Sequence, residues 1–240
     1  VQTWGSSDLA GLDLENVAGL AGHSLGEYSA HACAGSFDLT TTARLLRLRG
    51  EAMQKAMPAG QGAMAALLGL SLVDAEALAK DAGVEIGYDN CPGQLVLSGP
   101  TGAIDEACAL AKNYGANRAM KLDVSAAFHS HGMMPAQERM AEALSEADVH
   151  APQRPVVANV DASVVTTPDD TRRTLTAQVS GRVRWQEGIA ALRDLGAETF
   201  LELGSGTVLT GLLRKIDREL AGASFGAPDD LAKAEAVLKA

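Results

Sequence analysis

Ser24 stands in Gly22-His23-Ser24-Leu25-Gly26, a G-x-S-x-G pentapeptide that follows the apolar residues 17–21 and precedes Glu27. A serine between glycines, at the junction of a strand and a helix, presents its hydroxyl as a nucleophile on a strained turn. The glycines allow that turn and a close approach of neighbouring backbone. The N-terminus of the helix beyond Ser24 aims free N–H groups at an acyl oxygen, with the Leu25 amide nearest, so Leu25 is the expected oxyanion donor. The same five residues also read as a helix-capping serine in a tight turn.

A hydroxyl at its ordinary pKa is a poor nucleophile and needs a base within hydrogen-bond reach. Of five histidines, His23 lies inside the turn, His31 on the helix leading away, and His150 in a loop before Pro152. His129 and His131, in "SAAFHSHGMMP", remain, and His129, next to the apolar Phe128, is the better positioned base. The H-x-H pair lacks a third ligand of suitable spacing, so no metal is expected. An esterase of this type would add an acid between serine and histidine in chain order. Asp38, Asp74, Asp81, Asp89, Asp105 and Asp123 occupy that interval, each with an ordinary explanation as cap, turn or surface residue.

Arg49 is the third candidate. Arg44, Arg47, Glu51 and Lys55 recur at three- and four-residue steps and form a polar stripe on one helix. Arg49 falls off that stripe, four residues after Leu45 and four before Met53, with no acidic residue one turn away. An arginine that snorkels over apolar surface is the plain alternative. A substrate carboxylate would satisfy an inward guanidinium in a bidentate fork. Such a contact is worth about 1.5–3 kcal/mol, enough to favour a carboxylated acyl group over acetyl by roughly 10- to 100-fold.

The elements that must position these groups follow from periodicity. A strand at 17–21 and a helix at 25–34 frame the turn, and a helix capped by Asp38 runs to about 57. Residues 62–122 change to shorter units: strand 62–69, helix 73–82, strands 84–89 and 94–99 joined through "DNCPG", helix 101–114 and strand 117–122. That order, βαββαβ, is ferredoxin-like. Longer units then return: a helix at 133–147, a strand at 155–160, a helix either side of Trp185, a strand at 199–203 and a final helix from Thr207. The expected fold is α/β: a parallel-sheet, hydrolase-like core formed by residues 1–60 and 125–240, with a ferredoxin-like insert at 61–124. The cleft between the two is the expected site.

"GHSLGEYSA", "LRLRGEAMQKAMPAGQGAMAALLGL", "NCPGQLVLSG", "AAFHSHGMMP" and "LELGSGTVLTGLLRKI", in this order, resemble the malonyl-CoA:acyl carrier protein transacylase family of fatty acid and polyketide synthesis. The resemblance implies ping-pong transfer of malonyl from coenzyme A to the phosphopantetheine thiol of acyl carrier protein. It implies Ser24 as nucleophile, His129 as base and Arg49 as the carboxylate clamp. Gln178, in "TAQVSGRVRW", takes the place where the family orients its histidine through main-chain carbonyls. Phe128 matches the residue that favours malonyl over methylmalonyl, and a single methyl is worth about 1–3 kcal/mol. Met53, Asn90 and Gln94 are further expected substrate-binding residues. No dissociable cofactor is implied; the coenzyme A thioester is the substrate.

The family also carries a strand and a glycine-glutamine-glycine loop upstream of the elbow, which supplies a second oxyanion amide. Residues 1–16 hold no match, so that strand and loop are expected to be missing. A serine esterase or thioesterase, and an inactive fragment or module of a larger synthase, remain as alternatives.

Composition sets outer bounds. A net charge of −10 argues against nucleic acid or an anionic membrane as the main partner. An acidic carrier protein would instead need local cations, for which Arg118, Lys121, Arg182 and Arg184 are candidates. The three cysteines have neither disulfide-framework nor zinc spacing and suit a reducing cytoplasm. A cytoplasmic monomer without a membrane span is expected.

Overall fold

The computed structural model describes residues 17–238. Strand β1 (Leu20–Ala21) runs into the turn carrying Ser24, and helix α1 (Gly26–Cys33) follows at once. Helix α2 (Leu39–Ala56) begins at Asp38, whose carboxylate accepts from the Thr41 amide at 2.6 Å and satisfies a free donor of the first turn. Its buried residues, Thr42, Leu45, Arg49, Ala52 and Met53, recur at three- and four-residue steps and share one face. Arg49 is thereby turned inward among apolar neighbours.

Strands and helices then alternate: β2 (Gly62–Leu68), α3 (Leu72–Ala82), β3 (Glu85–Cys91), β4 (Gln94–Pro100), α4 (Thr101–Leu110) and β5 (Arg118–Lys121). The four strands pair antiparallel in the order β5-β2-β4-β3, the ferredoxin-like arrangement. Leu78, Ala79, Ile104 and Ala107 of the helices bury against Ala65, Leu67, Leu95 and Leu97 of one sheet face, in a cluster without a charged member. The other face turns toward the chain that carries His129: Ser98 Oγ donates to the Phe128 carbonyl at 2.6 Å. The helix expected over 101–114 tightens into a 3-10 turn at residues 111–114.

Beyond β5, helix α5 (Met134–Glu146) buries Ala136, Met140 and Leu144 against Leu45 and Met53 of α2. Strand β6 (Val156–Val157) pairs parallel with β1, and β7 (Val164–Val165) pairs antiparallel with β6. The strand expected at 155–160 is shorter because the chain reverses at Asp161, whose carboxylate accepts from Ser163 N and Oγ, with Ala162 at φ +53°. Helix α6 (Pro168–Ala177) leads to β8 (Val183–Arg184), which adds a parallel edge to β3 and joins the two parts of the chain in one sheet. Helix α7 (Trp185–Asp194), β9 (Thr199–Leu203), α8 (Val208–Ile216), β10 (Ala221–Phe225) and α9 (Leu231–Leu238) complete the chain.

The parallel pairing expected of the core is present in two pieces among the described residues, β1-β6 and β9-β10. β10 and α9 lie beyond the elements that the periodicity predicts. The segment Ala-Gly-Ala-Ser-Phe has little intrinsic strand preference and is held by its register with β9. No helix among the described residues is long and apolar enough to cross a membrane. The expectation about an upstream oxyanion loop falls on residues 1–16, outside the described residues.

Candidate active site

The turn between β1 and α1 holds Ser24 at φ +52°, in the left-handed region that favours glycine. A Cβ on Gly22 would lie 2.0 Å from the Gly26 carbonyl, so no side chain fits there. Gly26 is different, since a Cβ at that position would meet nothing within 4 Å. Of the two glycines around Ser24, close approach therefore requires only the first.

Three of the four amides after His23 are already committed. Ser24 N donates to Asn159 Oδ1 at 2.7 Å, Gly26 N to the His23 carbonyl, and Glu27 N to the Ser24 carbonyl. The Leu25 amide has no such acceptor among the described residues and remains available to a developing oxyanion. Asn159 also donates from Nδ2 to the Gly22 carbonyl at 2.8 Å, so one side chain clamps both sides of the turn.

His129 meets Ser24 from the connection between β5 and α5, with its own backbone at φ +56°. Its Nε2 lies 2.7 Å from Ser24 Oγ. Its Nδ1 lies 2.9 Å from the Gln178 carbonyl and 3.0 Å from the Gly181 carbonyl. Two carbonyl acceptors require the proton on Nδ1, which leaves the Nε2 lone pair facing the serine hydroxyl. Burial, and then the charge of Arg49, push the imidazole down to about 3, so it is neutral at physiological pH.

Arg49 approaches from α2. Its Nη2 donates to Ser24 Oγ at 3.0 Å and to Gln178 Oε1 at 2.9 Å, and its guanidinium carbon stands 5.9 Å from the Tyr28 ring centroid. Gln178, at the end of α6, is fully buried and uses its whole amide. Beyond accepting from Arg49, its Nε2 donates to the Ser24 carbonyl and to Glu27 Oε2, each at 2.8 Å.

Ser24, His129, Arg49 and Gln178, some 150 residues apart at their extremes, thus meet within direct hydrogen-bond distance. Met53 and Phe128 share the apolar cluster beneath α2 and α5, Met53 buried and Phe128 half-buried. Asn90 accepts from His23 Nε2 at 2.9 Å, and the His23 ring sits 5.1 Å from Tyr88 and 5.4 Å from Trp185, so Asn90 braces the elbow from behind. Gln94 is not brought into the cluster. It occupies the opposite strand of the β3–β4 turn, where its carbonyl oxygen accepts from Lys215 Nζ at 2.8 Å.

Two residues that the sequence reading passed over are central here: Asn159, the clamp of the turn, and Glu27, a fully buried carboxyl joined to Gln178. Glu27 directly follows the pentapeptide, but its partners Asn159 and Gln178 lie more than 130 residues away, and a single sequence offers no signal for those pairings. A cleft of about 380 Å³, lined by His129, Gly181, Arg182, Lys80 and Glu85, opens beside the base.

A serine on a glycine-backed elbow, a main-chain-oriented histidine and an inward arginine, set in an α/β core with a ferredoxin-like insert, define an acyltransferase. The chain belongs to the acyl transferase domain family, whose model matches residues 10–229. It is 42% identical over 227 residues to the malonyl CoA-acyl carrier protein transacylase of Bacillus subtilis, covering 91% of this chain and 71% of that protein. The acyl-carrier-protein-S-malonyltransferase of Bartonella henselae superposes with a TM-score of 0.91 at 43% identity, covering 96% of this chain and 75% of that one. A malonyl-transacylase in complex with its type II PKS acyl-carrier protein superposes at 0.88 with 37% identity, covering 92% and 72%.

Proposed function

We propose that this chain transfers a malonyl group from coenzyme A to the phosphopantetheine thiol of acyl carrier protein, through a malonyl ester on Ser24. The observation that carries the residue assignments is the position of Ser24 Oγ, 2.7 Å from His129 Nε2 and 3.0 Å from Arg49 Nη2. A malonyl ester on that oxygen holds its free carboxylate one methylene beyond the acyl carbon, within reach of the guanidinium.

In the first half-reaction the Ser24 proton passes to His129 Nε2 as Oγ bonds to the thioester carbonyl carbon. The negative charge on the carbonyl oxygen faces the Leu25 amide and the start of α1. The carbon–sulfur bond then breaks and the departing coenzyme A sulfur takes the proton from His129. In the second half the pantetheine thiol gives its proton to His129, its sulfur attacks the ester carbonyl, and Ser24 Oγ leaves with that proton. Arg49 holds the malonyl carboxylate in both halves. In doing so it gains a negative charge beside the guanidinium, which opposes one of the lesser causes that hold His129 down.

Among the expected docking cations, Lys121 pairs with Asp105, Arg182 with Glu76 and Arg184 with Glu187. Arg182 and Lys80 line the cleft beside His129 together with Glu76 and Glu85, so docking of an acidic carrier there would draw the two cations away from those carboxylates. Intact-mass analysis after malonyl-CoA treatment tests the proposal: the parent chain gains one malonyl group, which a pantetheine thiol removes faster than water does, and Ser24→Ala gains none. Discharge to water as fast as to the thiol would make it a thioesterase.

A further inference from the structure

Glu27 is fully buried in the first turn of α1, and its carboxyl touches no substrate-facing group directly. All of its hydrogen bonding goes through one oxygen. Oε2 accepts from Gln178 Nε2 at 2.8 Å and from the Asn159 amide at 3.2 Å, while Oε1 has no partner. These two donors belong to the segments that organise the rest of the site. Asn159 clamps Ser24 N and the Gly22 carbonyl, and Gln178 supplies a carbonyl to His129 Nδ1 and its side-chain oxygen to Arg49.

A carboxamide has two ends of similar shape and opposite polarity, so its orientation must be imposed by its partners. At Gln178 the oxygen faces the Arg49 guanidinium and the nitrogen faces the Ser24 carbonyl. The reverse orientation would set an NH2 group against a guanidinium and an oxygen against a carbonyl. The Ser24 carbonyl alone offers the nitrogen one weak reason to stay, because that carbonyl already accepts from Glu27 N. A carboxyl oxygen at the N-terminus of a helix is the stronger acceptor.

We propose that Glu27 is a positioning residue for acyl-group selection: its Oε2 locks the Gln178 carboxamide so that the amide oxygen holds Arg49 in line with Ser24. The proposal rests on the malonyl-transfer reading and deepens it. Loss of the Glu27 acceptor lets the Gln178 amide turn, and Arg49 then loses its fixed place beside the nucleophile. The expected signature is a loss of preference between acyl groups rather than a uniform loss of rate.

The experiment measures malonyl and acetyl loading of Ser24 from their coenzyme A thioesters in the parent, Glu27→Met and Glu27→Gln. Methionine fills the volume without an acceptor, and glutamine keeps one carbonyl oxygen. Glu27→Met is expected to lower the malonyl-to-acetyl ratio about tenfold or more, whereas Glu27→Gln keeps the ratio within about threefold of the parent. The Glu27→Met change should add less than about threefold when Gln178→Ala is already present, because the two act through one contact. An unchanged ratio in a folded Glu27→Met protein would overturn the proposal, as would a full second penalty in the double variant. If Glu27→Met does not fold, Glu27→Ala, which also removes the acceptor, takes its place with the same two outcomes, and a tenfold loss in Glu27→Gln likewise removes the acceptor role. A parent chain that loads acetyl as readily as malonyl would instead count against the malonyl reading itself.

Discussion

The insert and the catalytic side of the molecule bury their interiors in opposite ways. Against the β2–β5 sheet, α3 and α4 bury aliphatic side chains, Leu67, Leu78, Leu97 and Ile104 among them at 0% exposure, with Cys108 and Tyr114 packed at the edge. Around Ser24 the buried set includes Glu27, Arg49, His129, Asn159 and Gln178, and three of its polar atoms, Glu27 Oε1, Tyr28 Oη and Arg49 Nε, have no partner. Burying polar groups costs stability unless each is matched, so the second interior is held by geometry that serves chemistry. The first supplies the hydrophobic stabilisation that offsets it.

Four measurements would break or sharpen this contrast. Replacing Ser24 by alanine should lower malonyl transfer by on the order of 1000-fold or more and leave the folded state intact, read by steady-state transfer and by circular dichroism. Leu78→Ala should do the reverse: a loss of about 2–5 kcal/mol in denaturant unfolding, with the malonyl-to-acetyl ratio unchanged. A shifted ratio in that variant would show that the two interiors are not separable. Arg49→Ala should cost malonyl transfer about 10- to 100-fold and acetyl transfer far less. Equal losses for both acyl groups would remove the carboxylate clamp.

The smallest expected effect is on stability against pH, and here buried groups pull in opposite directions. Burial lowers His31 to about 4 from an ordinary 6.5. Its contribution is present above pH 6.5 and is lost as pH falls toward 4, on the order of 2 kcal/mol between pH 7 and pH 5. Burial raises Glu27 to about 7 from 4.5, so its contribution is present below pH 4.5 and is lost as pH rises through 7. The urea midpoint at pH 7 minus that at pH 5 should therefore fall in His31→Leu and rise in Glu27→Gln. A common shift in both variants would contradict the assignment of these groups.

Much of the insert was legible in sequence because each signal there is local. Ser71 caps α3 with its hydroxyl, Gly83 ends it at φ +67°, and apolar alternation marks the strands. The elbow was legible for the same reason, and Arg49 stood out because it broke a helical stripe. The Gln94 expectation shows the limit. Asn90 and Gln94 flank one tight turn, yet register irregularities between Asp89 and Cys91 decide which side chain reaches His23 and which reaches Lys215. Glu27 and Asn159 lie 132 residues apart and meet through a backbone amide, a pairing that residue type does not encode.

The histidine in this site hangs from the carbonyls of Gln178 and Gly181. Oxygen atoms of the main chain are present whatever side chains the codons specify, so no substitution can delete them as one deletes an aspartate. Inheritance of the correct tautomer depends instead on the path of the chain, and that path has one narrow point. A Cβ on Gly181 would lie 2.7 Å from Val160 Cγ2 and 2.8 Å from the Ala177 carbonyl. The vulnerability that other serine enzymes carry in an acid has here been moved to a residue with no side chain.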